Sequence, residues 1–294
     1  MNHESIVREG MADFLGAGVP IAVLDRLKGG MSNSNYVVEA EGTQYVYRIP
    51  GKNAEVFVDR RIEAKTLSLV APLRIDGNLT RRLDVATGRK ISLFVPGIPL
   101  AQADPAAHYR SAAAILHRLH DAGLETELDY APYERLQRYE RLVVERGLSH
   151  AADYLDIRDR FLSFRAALDG GPRVFCHNDA QTSNFILKPD GEILLVDWEF
   201  GGNNDPLYDV ACYGNNDFRY AEGLLPVYLG RTPTQKEWFR LYAWRTFQCL
   251  QWHNVALFKE ATGLSQELGL DFKAIAAAYV AKANAMYDSA VAHR

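Results

Sequence analysis

At 294 residues, 48% of them hydrophobic, the chain can bury a full core, either as one large domain or as two lobes around a cleft. A net charge of −4 argues against a nucleic-acid partner, and no apolar run approaches a membrane span in length. The charged start MNHESIVREG lacks a signal-peptide core, and Cys176, Cys212 and Cys249 form no metal or redox spacing, so a reduced, cytoplasmic setting is expected.

In chain order, residues 5–15 place Val7, Met11, Phe14 and Leu15 on one helical face, which Gly16-Ala17-Gly18 ends. Strands are expected over 21–27, 36–40 and 44–49, with a turn at Glu41-Gly42. The first two are joined by Gly29-Gly30-Met31-Ser32-Asn33-Ser34-Asn35. Such a turn lets backbone N–H groups, at Gly30 above all, approach a polyphosphate, and Ser32, Asn33 and Ser34 add side-chain donors. A plain Gly-Gly hairpin has the same composition, so the phosphate reading rests on support from further along the chain.

The third strand carries Arg48, a permanent cation able to grip phosphate at two points. An amphipathic helix over 58–70, stopped near Pro72, carries Glu63, the candidate to hold Arg48 in place; the plain alternatives are a surface Arg on an edge strand and a solvated Glu. Residues 83–95 read as a hairpin turning at Thr87-Gly88 and running into Pro96-Gly97. An apolar strand ending in Pro-Gly suits a hinge, where Phe94 and Val95 would offer backbone groups to an adenine edge and apolar atoms to its face; a simple strand end is the alternative.

Asp104-Pro105 starts a helix through residue 121, read as structural although it holds His117 and His120 three apart. Residues 125–171 are helical, with Asp153, Asp156 and Asp159 on a solvated face. Thr232-Pro233 opens a long helix to about residue 260 that is rich in aromatic residues. Trp238 and Phe258 read as core, whereas Trp244 and Trp252 stand among Arg245, Gln248, Gln251 and His253 and suit the wall of a cation-binding pocket.

The densest signal lies between residues 174 and 209. A short apolar strand opens into a loop with His177, Asp179 and Asn184, followed by a hairpin that turns at Lys188-Pro189-Asp190-Gly191 and ends at Asp197. Asp and Asn at strand ends are often turn formers. Here the spacing H-N-D-x-x-x-x-N, with D-W-E one hairpin later, has the layout of the protein-kinase catalytic loop followed by D-F-G. That chemistry needs a base for the attacking hydroxyl and oxygen ligands for the magnesium that accompanies the nucleotide phosphates. Glu199, two residues past Asp197, is placed to assist the metal or meet a cationic substrate, and Asp209 to pin the backbone of the loop.

Together GGMSNSNY, YVYRIPGK, the helix with Glu63, CHNDAQTSNFIL, VDWEF, NNDPLYDVA and the Trp-rich final helices resemble the choline/ethanolamine kinases, within the aminoglycoside-phosphotransferase-like group of kinase-fold enzymes. The resemblance implies an α+β, two-lobed protein-kinase-like fold. Residues 1–95 would form an antiparallel sheet with one main helix that holds ATP, and residues 96–294 a mostly helical catalytic and substrate-binding lobe. It implies Asp179 as base, Asn184 and Asp197 as Mg2+ ligands, and Ser32 and Asn33 on the phosphates beside Arg48, with Glu63 behind. Glu199, Trp244 and Trp252 would face the trimethylammonium group of choline. Ser183 stands where this group often has Gly. The implied activity is phosphoryl transfer from ATP to a small cationic alcohol, choline foremost. An aminoglycoside, ethanolamine or thiamine kinase is the alternative within the group, and a catalytically silent nucleotide-binding module is the alternative of another class.

Overall fold

The structure, a computed structural model, describes residues 2–27 and 33–294. Gly30 and Ser32, expected near phosphate, lie outside the described residues. The chain opens with α1 (His3–Leu15), β1 (Ala22–Leu27), β2 (Asn33–Ala40), β3 (Thr43–Pro50), α2 (Arg60–Val70), β4 (Thr80–Leu83), β5 (Lys90–Leu93) and β6 (Ile98–Pro99). Next come α3 (Tyr109–His120), α4 (Pro132–Glu145), α5 (Ala152–Leu162), α6 (Arg165–Asp169), β7 (Val174–Cys176), β8 (Phe185–Leu187), β9 (Ile193–Leu195) and β10 (Gly202–Asn204). It closes on α7 (Pro206–Tyr213), α8 (Arg219–Leu229), α9 (Gln235–Ala261), α10 (Leu264–Leu268) and α11 (Phe272–Ala292). An antiparallel sheet followed by a mostly helical part is the α+β class expected.

Two compact units result, one of Met1–Ala103 with Ser183–Gly201 and one of Asp104–Thr182 with Gly202–Arg294. The sequence reading places a single boundary after residue 95. The hairpin β8–β9 instead returns to the first unit, because β8 pairs with β6 through Ile98 with Leu187 and Pro99 with Ile186.

In the first unit the sheet order is β1-β2-β3-β5-β4, and every pairing is antiparallel. Between β2 and β3 the chain reverses at Glu41 and Gly42, with φ of 50° and 72°. Two consecutive positive φ values make the two-residue turn whose twist matches that of the strands it joins. Val7 and Met11 of α1 pack on Val38, Tyr47, Ile49 and Ile91, so the first helix serves the core of the sheet. Asp59 caps α2 by accepting from Arg61 N–H, which sets the helix start that brings Glu63 into its first turn. The β8–β9 turn forms as the residue types dictate: Gly191 N–H donates to Lys188 O at 3.0 Å, and Gly191 has a φ of 87°.

The second unit is built around α9, which packs along α11 and against α4, α5 and α7. Its start is two residues later than expected. Thr234, not Thr232, is the cap, since Thr234 Oγ1 accepts from Glu237 N–H while the Glu237 carboxylate accepts from Thr234 N–H at 2.8 Å. The short strands β7 and β10 pair in this unit and frame the loop that follows Cys176. Among the described residues no helix is long and apolar enough to cross a membrane.

Candidate active site

In the first unit, β3 and α2 bring Arg48 and Glu63 into a two-point ion pair. Arg48 Nη1 donates to Glu63 Oε1 and Nη2 to Oε2, both at 2.8 Å. Arg48 also donates to Gly88 O from Nε and Nη2, at 3.3 and 3.0 Å. The expected partnership is therefore present, and it is fully enclosed, with 3% and 0% of the two residues exposed. Two further cations share the same carboxylate: Arg60 Nη1 reaches Glu63 Oε2 at 2.8 Å and Lys90 Nζ reaches Oε1 at 3.0 Å. Burial alone would push the Glu63 carboxyl up, but Lys90, Arg48 and Arg60 together hold it well below the usual carboxylate range.

Glu199 is drawn into the same cluster. Its Oε1 accepts from Arg60 at 2.6 Å, Arg48 at 2.9 Å and Asn33 Nδ2 at 3.1 Å. This corrects the expectation that Glu199 faces a substrate cation: one carboxylate oxygen already has three donors, two of them guanidinium groups, and the side chain is 5% exposed. Asn33 sits at the start of β2 with its Nδ2 donating to Glu199, while its buried Oδ1 has no hydrogen-bond partner among the described residues.

Asn184 and Asp197 meet in this unit through the hairpin. Val196 N–H donates to Asn184 O at 2.9 Å, extending the β8–β9 pairing by one residue and setting Asn184 beside the residue that precedes Asp197. Asp197 holds a φ of 72° and its Oδ1 is 3.8 Å from Arg48 Nη1. The Asp197 carboxyl is raised, by loss of water around it first and by the Glu199 charge second, with Lys90 and Arg48 pulling the other way. An amide oxygen and a carboxylate are hard oxygen donors of the kind that fits a divalent ion such as Mg2+.

At the end of β5, Phe94 N–H is already used on Gln44 O at 2.9 Å.

The second unit holds the loop with the candidate base. Asp209, 0% exposed on α7, accepts from His177 N–H through Oδ2 and from Asn178 N–H through Oδ1, both at 2.7 Å. His177 Nδ1 in turn accepts from Asp179 N–H at 3.2 Å. Asn178 takes a φ of 63° and ties the loop to the β7–β10 ladder: its Nδ2 donates to Cys176 O and Gly202 O, and its Oδ1 accepts from Asn204. His177, Asn178 and Asp209 thus shape the backbone so that Asp179 is presented at the surface of the loop, half-buried. Asp209 has the role expected of it. His120, read as purely structural, also reaches it, with Nε2 3.0 Å from Asp209 Oδ2 and Nδ1 2.9 Å from the Tyr228 hydroxyl.

Trp244 differs from expectation. It is 3% exposed, donates Nε1–H to Asp205 Oδ2 at 2.7 Å and packs edge-on against Tyr208 and Phe247. It is a core side chain because α9 is buried on most of its faces, so polar sequence neighbours do not mark an open side. Trp252, two turns further on, is half-buried.

Arg60 and Lys90 join the cluster without having been expected there from the sequence pattern. Arg60 was within reach, three residues before Glu63 on one helix. Lys90 was not, since only the register that places it opposite Arg48 reveals it.

Residues 23–245 match the family described as a phosphotransferase enzyme family. Protein LicA of Haemophilus influenzae is 26% identical over 190 residues, covering 62% of this chain and 55% of that protein, so the chain spans little more than half the length of that relative. The solved choline kinase LicA from Streptococcus pneumoniae superposes with a TM-score of 0.79 at 25% identity, over 98% of this chain and 100% of that one. A LicA structure in complex with AMP superposes with a TM-score of 0.77 at 24% identity, over 99% and 100%, and shares the fold.

Proposed function

This chain belongs to the phosphotransferase enzyme family, and we propose that within it the chain transfers the γ-phosphoryl group of ATP to the hydroxyl of a small cationic alcohol, choline foremost. The observation that carries the reading is the buried two-point pair of Arg48 and Glu63, in the same unit as the Asn184 and Asp197 oxygens. An enclosed guanidinium fixed by a helix carboxylate holds a positive charge in one place, 3.8 Å from the Asp197 carboxylate, where phosphate charge would be met. The likeness to proteins named as choline kinases supports the choice of substrate.

In this reading the substrate oxygen forms a bond to the γ-phosphorus as the bond from that phosphorus to the bridging oxygen of ADP breaks. Asp179 accepts the hydroxyl proton. Arg48, whose guanidinium N–H groups are placed on Glu63, Glu199 and Gly88 O, acts on the phosphates through its charge, backed by Arg60 and Lys90, and the Phe94 carbonyl and Val95 N–H take the adenine edge. Asn184 and Asp197 would hold Mg2+, which when bound neutralises developing phosphate charge. His177 and Asp209 fix the backbone that presents Asp179. Trp252 is the aromatic assigned to the substrate's cation; Trp244 and Glu199 are committed elsewhere.

A coupled ADP-release assay with magnesium and ATP against choline, ethanolamine, thiamine and kanamycin tests this. Choline-dependent turnover that Asp179→Ala abolishes is the expected result. Turnover with kanamycin alone would overturn the substrate while keeping the reaction, and the absence of turnover with every acceptor would count against the reaction as stated.

A further inference from the structure

Within the second unit a run of side-chain hydrogen bonds connects Asp179 to α9. Arg245 donates from Nη1 to Asn215 Oδ1 and from Nη2 to the Asn215 carbonyl, both at 2.8 Å. Asn215 Nδ2 donates to Gln181 Oε1 at 2.8 Å. Gln181 Nε2 then donates to both carboxylate oxygens of Asp179, at 3.3 and 3.2 Å. Two amide side chains, Asn215 and Gln181, thus stand in series between a cation and a carboxylate.

The direction of this series is forced by donor chemistry. A guanidinium only donates and an ionised carboxylate only accepts, so each amide between them must accept on the Arg245 side and donate on the Asp179 side. Only one orientation of each amide satisfies both neighbours, and each bond polarises the next in the same sense. Arg245 is 2% exposed and its hydrogen-bond partners, Asn215 and Gln248, are neutral. Gln248 is itself anchored to α7, donating to Tyr208 O and Cys212 Sγ, so the cationic end of the series stands on two packed helices. A buried cation set among neutral amides is costly, and aligned amides that lead its field to a carboxylate offset that cost.

We propose that Gln181, Asn215 and Arg245 form a polarised relay that orients the Asp179 carboxylate, with Gln181 as the positioning residue in direct contact with it. The inference rests on the reading of Asp179 as the base. The relay fixes the orientation of the carboxylate by holding both of its oxygens against Gln181 Nε2.

Steady-state kinetics and thermal unfolding of Gln181→Met, Asn215→Asp, their double variant and Asp179→Ala test the relay, using the alcohol that the unmodified protein phosphorylates. Asn215→Asp keeps the oxygen that Arg245 needs and adds an ion pair, but it removes the donor to Gln181. The relay predicts kcat lower by about tenfold with the KM for ATP unchanged and Tm equal or higher; a purely structural Asn215 predicts unchanged kcat. Gln181→Met, a half-buried loop substitution of similar length, is expected to lower kcat comparably without loss of fold. The double variant is expected to be no worse than Gln181→Met alone, because both changes act through one amide. Full kcat in either single variant, or multiplied losses in the double one, would overturn the relay. Turnover retained by Asp179→Ala would instead overturn the base assignment, a distinguishable result.

Discussion

Arg48 and Glu63 face each other atom for atom, Nη1 to Oε1 and Nη2 to Oε2, both at 2.8 Å, from a strand and a helix 15 residues apart in the chain. Because Arg60 and Lys90 converge on the same two oxygens, Glu63 is the hub of the cluster and not simply one half of a pair.

Glu63→Gln keeps the shape and removes the charge, turning an amide N–H2 against buried cations. The expected cost is about 3 kcal/mol or more in urea unfolding, with a raised KM for ATP as Arg48 loses its fixed geometry. A loss below about 1 kcal/mol would mean that Glu199 alone suffices to hold the guanidinium groups.

Asp209→Ala orphans the backbone N–H groups of His177 and Asn178 together with His120 Nε2, all buried. At about 1–3 kcal/mol for each unpaired donor, the expected loss is roughly 4 kcal/mol or more, with kcat falling as the loop relaxes. Asp209→Asn retains one acceptor oxygen, and a smaller loss is expected from it. Equal stability of the Ala variant and the unmodified protein in denaturant titration would refute this account of the loop.

Trp244 and Trp252 separate stability from substrate binding. Truncation of the enclosed Trp244 to Ala is expected to cost about 3–5 kcal/mol, since it leaves a cavity and strips Asp205 of a donor. Trp252→Ala is expected to raise the KM for choline by about tenfold with little change in Tm. The reverse pattern would move the substrate cation to another wall.

Glu237 carries a pH signature. Its pKa is lowered to about 2, first by hydrogen bonds from Arg231, with burial opposing and the Thr234 N–H and hydroxyl helping. A depressed folded value means that the stabilisation is complete above the unfolded pKa of about 4.3 and is lost as the pH falls from there toward about 2. Arg231 is 53% exposed, so solvent screening reduces the contribution to about 1–2 kcal/mol. Glu237→Gln is accordingly expected to be less stable by that amount at pH 7, with the gap closing between pH 4 and pH 2. A gap independent of pH in urea titrations would show that the carboxylate charge contributes nothing.

The features legible in the sequence are local ones. The Lys188-Pro189-Asp190-Gly191 turn and the H-N-D-x-x-x-x-N spacing are set by residues within a few positions of one another, whose φ preferences and hydrogen-bond donors act over a single turn. The Arg48–Glu63 partnership was readable because a strand cation followed by a helix acid is itself a pattern. Glu199 and Trp244 were misplaced for one shared reason. Residue type and neighbours say that a carboxylate wants a cation and that an indole wants a wall, but not which one it finds.

By itself, the sequence determined the α+β class, the hairpin that bears Asn184 and Asp197, and the loop that bears Asp179, because turn chemistry and apolar periodicity are properties of short stretches. Only the tertiary structure decided that Lys90 stands opposite Arg48, that Glu199 pairs with Arg48 across 151 residues, and that Asn215 meets Gln181 across 34. Those contacts follow from strand register and helix packing, where buried charges and amides must find partners from anywhere in the chain.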